Sequence, residues 1–162
     1  SGAFKSGLAD HSEKTTRLHT ATHLLNEAMS QVLGPEVAQR GSNITPERTR
    51  FDFVFPRKLT EEEIKKIEDI VNKAVNKNLE MKREEMSPKE AFASGAKGEF
   101  GHKYPDKVSV FTAVDKSDKR GYFSREICTG PHVTNTKQIG KIKITEQSSV
   151  SAGVRRIKVI VQ

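Results

Sequence analysis

Two short stretches far apart in the chain constrain its fold more than any other feature. The first, HTATHLL at residues 19–25, carries His19 and His23 four residues apart in a run with helical periodicity. At 3.6 residues per turn, both imidazoles project from the same side of that helix. The second, CTGPHV, sets Cys128 and His132 four apart in a segment that Gly130-Pro131 forces to turn. A thiolate and three imidazoles are borderline-soft donors suited to zinc. Each pair alone has an ordinary reading, as surface histidines on a helix or a small core cysteine beside a loop histidine. Read as one site, they require the first helix to lie against a turn more than a hundred residues later.

Helical phase supports that reading. Leu18, Ala21, Leu25, Ala28, Met29 and Val32 form one apolar stripe, and His19 and His23 point well away from it. The histidines therefore face something other than the main core. Ser12 opens this helix and Gly34-Pro35 stops it after Leu33. EVAQRGSNI and RTRFDFVF read as two strands of a hairpin joined through TPE. LTEEEIKKIEDIVNKAVNKNLE predicts a second, amphipathic helix, with a capping box at Thr60 and Glu63 and apolar positions at Ile64, Ile67, Val71 and Val75. SPKEAFASG is a short helix, and KGEFGHKYPDKVSVFTAV passes through a loop into a strand ending near Val114. YFSREIC, QIGKIKITEQ and GVRRIKVIVQ complete the strands. This order predicts an α+β fold, a largely antiparallel sheet with the long HxxxH helix and the second amphipathic helix packed on it. No repeat or break in composition divides residues 1–162, so one domain is expected.

Charge is placed unevenly. The chain carries a net +7, yet residues 1–100 hold 16 basic and 16 acidic side chains, and residues 101–162 hold 12 and 5. Such a basic segment is the footprint expected of a polyanion partner. Aromatic residues are only 6% with no tryptophan, which disfavours a stacking platform for long single strands and leaves a structured RNA or a short end. The single cysteine, Cys128, excludes an internal disulfide, and the absence of a long apolar run or signal-like leader predicts a cytoplasmic protein without a membrane span.

RLHTATHLLNEAMSQVLG, QRGSNI, ERTRFDF, REICTGPHV and SSVSAGVRRI together resemble the editing domain of alanyl-tRNA synthetase and its free-standing AlaX relatives. That superfamily also includes the threonyl-tRNA synthetase editing domain. The resemblance runs through nearly the whole chain. It implies a zinc-containing aminoacyl-tRNA deacylase that removes serine or glycine from alanine tRNA, working either as an excised part of the synthetase or as a minimal trans-editor. Thr129-Gly130-Pro131-His132 is similar to the threonine-type turn, whereas HTATHLL, QRGSNI and GVRRI are alanine-like. Two other readings accompany this one: removal of serine from threonine tRNA, and a catalytically silent RNA-binding module stabilised by zinc.

The resemblance implies zinc ligands at His19, His23, Cys128 and His132, and pocket residues at Thr22, Gln39 and Ser42. A pocket that binds a substrate hydroxyl rejects its absence strongly, which is why polar residues are expected there. In GVRRIKVIVQ, Arg155 shares a strand face with Ile157, Val159 and Val161, while Arg156 and Lys158 share the other. Arg155 and Gly153 are expected at the terminal adenosine or its phosphate, and Arg156 and Lys158 at the acceptor stem. His11 and His102 are expected to be surface residues.

Overall fold

The computed structural model describes residues 5–98 and 103–162. Its elements are β1 (Lys5–Leu8), α1 (Glu13–Leu33), β2 (Ala38–Ile44), β3 (Thr49–Val54), α2 (Glu61–Asn76), β4 (Glu80–Met86), α3 (Pro88–Ala93), β5 (Val108–Val114), β6 (Tyr122–Ile127), β7 (Ile142–Ser151) and β8 (Val154–Val161). A 3-10 turn, Thr136–Ile139, precedes β7. The α+β class predicted from the sequence is observed, but the strands divide into two sheets. One has the order β1-β2-β3-β8-β7 and the other β4-β5-β6. Every described pairing between these strands is antiparallel except β1 on β2, which is parallel.

In the larger sheet the alternation of side chains across the pleat decides which face is buried. Phe51 and Phe53 on β3 and Ile157 and Val159 on β8 are fully buried on the inner face, while Arg50, Asp52, Arg156 and Lys158 turn outward. Helix α1 packs on that inner face. Ser12 caps it by accepting from the Thr15 amide, and Gly34, at φ 108°, ends it. Residues Thr20 to Met29 are all buried, so α1 is covered on every side and not on the single stripe that the periodicity indicates. The larger sheet covers the apolar side, α2 lies alongside, and β6 covers the side bearing the histidines. His11 is exposed ahead of this helix; His102 lies outside the described residues.

Helix α2 begins with the predicted capping box. Thr60 Oγ1 accepts from Glu63 N at 3.1 Å, and the Glu63 carboxylate accepts from Thr60 N at 2.8 Å. It ends at Asn76, short of the predicted Glu80. Asn78 takes φ 54°, reversing the chain, and Glu80–Met86 pairs with β5 as an edge strand. The run EMKREEM has good helix formers, but on an edge strand charged side chains are favoured because they deter pairing with another chain. The parallel strand β1 was likewise not predicted.

Glu63 is held at about 2, chiefly by the Arg57 guanidinium, with burial opposing and the Thr60 amide assisting. Its folded value lies below the ordinary 4.5, so its contribution to stability is present above pH 4.5 and is lost as the pH falls through about 2. Thr60→Ala should cost about 1 kcal/mol in urea unfolding at neutral pH. Glu63→Gln should flatten the acid loss of stability across that window.

Candidate metal centre

The four predicted donors meet. His19 and His23 stand one turn apart on α1, Cys128 follows directly on β6, and His132 comes from the turn after it. Their donor atoms all lie within 4.8 Å of one another. The Cys128 sulfur is 3.4 Å from both His19 Nε2 and His132 Nε2. A tetrahedral zinc ion separates its nitrogen and sulfur ligands by roughly 3.5 Å, given bond lengths of about 2.0 and 2.3 Å. The cluster therefore has the size and the donor chemistry of a metal centre.

Each imidazole is aimed by its other nitrogen. His19 Nδ1 donates to the Pro131 carbonyl at 2.8 Å. Thr20 Oγ1 donates to the Thr16 carbonyl at 3.2 Å, leaving its lone pairs for the Val133 amide at 3.1 Å and His132 Nδ1 at 2.9 Å. His23 Nδ1 lies 3.0 Å from Glu126 Oε2. With Nδ1 carrying the hydrogen in all three rings, every Nε2 is left for a metal. The turn itself wraps the sulfur: Gly130 N donates to Cys128 Sγ at 3.4 Å. Gly130 has φ 80°, and a Cβ there would stand 3.2 Å from the Phe111 ring, so a larger residue would strain the turn.

Burial and neighbouring charge both act on the ionisable groups of the cluster. Burial pushes the Cys128 thiol up, but its contacts with His132, His19 and His23 bring it down to about 2. Burial lowers His23, and the Glu126 carboxylate with Cys128 outweighs this and raises it to about 10. His132 falls to about 3 through burial and the His23 charge. A thiolate is the form that binds a metal. Beside His132 opens a cleft of about 450 Å³, lined by Glu13, Arg17, Val133, Thr134 and Gln138.

The family model described as "Threonyl and Alanyl tRNA synthetase second additional domain" matches residues 110–158. An alanine–tRNA ligase of Borreliella afzelii is 52% identical over 157 residues, which is 97% of this chain and 25% of the ligase. That of Treponema denticola is 49% identical over 159 residues, covering 98% and 25%. The Bradyrhizobium diazoefficiens ligase is 43% identical over 171 residues, covering 99% and 19%. The chain is thus similar over nearly its whole length to a segment of alanine–tRNA ligases. It spans about a quarter of the length of the first two relatives.

The remaining predicted residues lie elsewhere on α1 and on the larger sheet. Thr22 is buried and faces the larger sheet, where its hydroxyl donates to the Leu18 carbonyl at 2.8 Å and meets Thr49 Oγ1 at 3.2 Å. Ser42 is opposite Phe51 and Gln39 opposite Phe53, so both face inward in the seam between β2 and α1. Gln39 stands four strand residues from the Thr49 row, roughly 13 Å at 3.3 Å per residue. Arg155, opposite Phe53 on β8, donates to Gln147 Oε1 at 3.3 Å, and its Nε is buried with no partner. On the outer face Arg156 makes a two-pronged pair with Asp52 at 2.7 and 3.0 Å, and Lys158 meets Glu146 at 3.1 Å. Gly153, at φ 76°, closes the exposed β7–β8 turn.

The residues that sequence reasoning missed are those that aim the ligands, Thr20, Asn26 and Glu126. Thr20 and Asn26 share α1 with the two histidines. Glu126 precedes Cys128 by two residues, a strand spacing that puts both on one face.

Purified protein should carry about one divalent metal ion per chain, read by elemental mass spectrometry. Cys128→Ala and His23→Ala should lose it, and chelation should lower the melting temperature, because the centre ties α1 to the β6 turn. Full metal content in both variants would refute the centre.

Proposed function

We propose that this chain, as one domain over residues 1–162, hydrolyses seryl- or glycyl-tRNA(Ala) in translational proofreading. The observation that carries the reading is the cluster of three histidines and a cysteine, in a chain whose relatives are alanine–tRNA ligases. Zinc is the metal that the donor set suits. The partner is the aminoacylated 3′ end of tRNA, together with the remainder of a synthetase when the domain is part of one, and the setting is the cytoplasm. Among the described residues no helix is long and apolar enough to cross a membrane.

Hydrolysis of an aminoacyl ester needs a positioned water, stabilisation of the developing oxyanion, and a pocket that spares the correct amino acid. Zinc, when bound, supplies a fixed positive charge and Lewis acidity. His19, His23, Cys128 and His132 would hold it. The cleft beside His132 gives the aminoacylated end a way in, and Arg17 on its wall is held by the Ile139 carbonyl at 2.9 Å, with no carboxylate partner among the described residues. Thr22, Gln39 and Ser42 are the polar groups of the seam between α1 and the sheet, and in this reading they recognise the substrate hydroxyl. Arg155, whose only described hydrogen-bond partner is a neutral amide, orients the terminal adenosine. Gly153 lets the backbone approach it, and Arg156 and Lys158 exchange their carboxylates for acceptor-stem phosphates. A second reading, removal of serine from threonine tRNA, is favoured by one feature, the Gly130-Pro131-His132 turn.

A panel of mischarged tRNAs is the direct test. Seryl- and glycyl-tRNA(Ala) should be hydrolysed while alanyl-tRNA is spared; rapid hydrolysis of seryl-tRNA(Thr) alone would establish the second reading, and no hydrolysis of any ester would leave only a binding module. Thr22→Val should reduce the serine-over-alanine ratio. It should also cost about 1–2 kcal/mol, because Thr49 is left with an unpaired buried hydroxyl. The double variant Thr22→Val, Thr49→Val should recover most of that stability and none of the selectivity.

If β8 meets the RNA, affinity must fall with salt as released counterions dictate. Arg156→Glu and Lys158→Glu should flatten the log–log salt slope and raise KM with little change in kcat. Arg155→Ala should lower kcat in single-turnover deacylation, because near-attack geometry is lost even when the RNA is bound. Unchanged slopes in all three would show that this strand is a solvated face.

A further inference from the structure

We propose that Glu126 is a positioning residue of the metal centre: it holds His23 as a ligand and supplies the second negative charge that balances a bound divalent cation. The inference rests on the metal-centre reading and extends it to a residue outside the donor set.

The three histidines are aimed by three chemically different groups: a carbonyl for His19, a hydroxyl for His132 and a carboxylate for His23. Only the last is charged. Glu126 Oε2 makes the ion-pair contact with His23 and is buried with no hydrogen-bond partner, while Asn26 Nδ2 donates to Oε1 at 3.2 Å. Asn26 is three residues beyond His23 on the same helix, so α1 presents the imidazole and, from its next turn, the amide that steadies the carboxylate. The His23 and Glu126 side chains are 8% and 13% exposed, so little water competes for the contact. A carboxylate that accepts from a ligating imidazole fixes the ring's tautomer and raises its basicity toward the metal.

The charge count points the same way. One thiolate and three neutral imidazoles leave a dication with a net +1 in a largely buried site, a costly arrangement. Glu126 brings the sum to zero, and among the described residues it is the one carboxylate in contact with a donor histidine. Its backbone pairs with Phe111 across β5 and β6, so a side-chain substitution leaves the ladder in place. Glu27, equally buried one turn further along α1, pairs instead with Lys97 and Arg120 and provides a matched control.

The test is competition between the full chain and a chromophoric chelator for Zn²⁺, together with the visible spectrum of the Co²⁺ form. Glu126→Gln keeps the shape and an acceptor but removes the charge; it should weaken metal binding 10–100-fold and shift the Co²⁺ bands, while circular dichroism stays that of the parent. Asn26→Ala should give a smaller loss, and Glu27→Gln none. Parental affinity in Glu126→Gln overturns the inference and leaves the centre standing. Equal weakening by Glu27→Gln also overturns it, because the effect would then be general. If the parent itself binds neither ion, the centre is what fails.

Discussion

The structure turns on one helix that has to satisfy two unlike surfaces. On one side α1 offers Ala21, Leu25 and Met29 to the phenylalanine and isoleucine rows of the larger sheet, where burial of apolar area is the driving force. On the other it offers His19, Thr20, His23 and Asn26 to β6 and the turn after it, where the contacts are directional hydrogen bonds and, for His23, an ion pair. The sequence distance is large: His19 meets the Pro131 carbonyl across 112 residues and Arg17 meets the Ile139 carbonyl across 122. Closing such a loop costs entropy that no single polar contact offsets. The apolar side must therefore fix the helix first in energetic terms, and the polar side then specifies where residues 128–139 come to rest. Thr136 continues the seam to α2, donating to the Ala74 carbonyl at 2.8 Å while accepting from Leu79 N at 2.8 Å.

Electrostatics follow from this packing more than from the charge count. The basic excess of the last 62 residues suggests a continuous cationic face, but folding brings acids from the first hundred residues against it. Asp52 takes Arg156, and Glu27 takes Arg120 together with Lys97. Arg125 is held by the Thr112 hydroxyl and the Ser94 carbonyl and lies over the Tyr122 ring at 4.2 Å. Cations with only neutral partners, such as Arg17 and Arg155, keep their full attraction for an anion. Paired ones can offer a phosphate only what it gains beyond the carboxylate they already hold.

Much of this was legible in the sequence wherever local chemistry decides the outcome. The Ser12 and Thr60 caps, the β2–β3 hairpin and the alternation along β8 need only neighbouring residues to be read, and each is present. The four donors were legible because they fall in two pairs, each four residues apart, of the residue types that can hold a metal ion. What escaped was set by tertiary context. EMKREEM becomes a strand because β5 has an edge to fill, against the helix preference of its residues. The burial of α1 on all sides blurs the amphipathic signal, since a helix between two surfaces has no solvent face to mark its phase. Thr20 and Glu126 gave no signal of their own; they act on histidines, and a residue that aims a ligand has no fixed spacing from it.

The cost of this design falls on the buried polar side chains of α1. Thr15, Thr20, Thr22, His23, Asn26 and Glu27 are all nearly inaccessible, in a stretch where an ordinary core helix would carry leucine and alanine. Burying such groups is tolerable only when every one is matched, and several are matched by partners that are buried too: Thr22 by Thr49, His23 by Glu126, Thr20 by His132 and Val133. An apolar substitution on one side of such a pair removes one hydrogen bond and strands the partner, so its effect exceeds the value of the contact. Hydrophobic packing holds the helix in place but would accept many registers of the β6 turn. The matched polar pairs accept one, and in that register the three Nε2 atoms and the thiolate face a common centre.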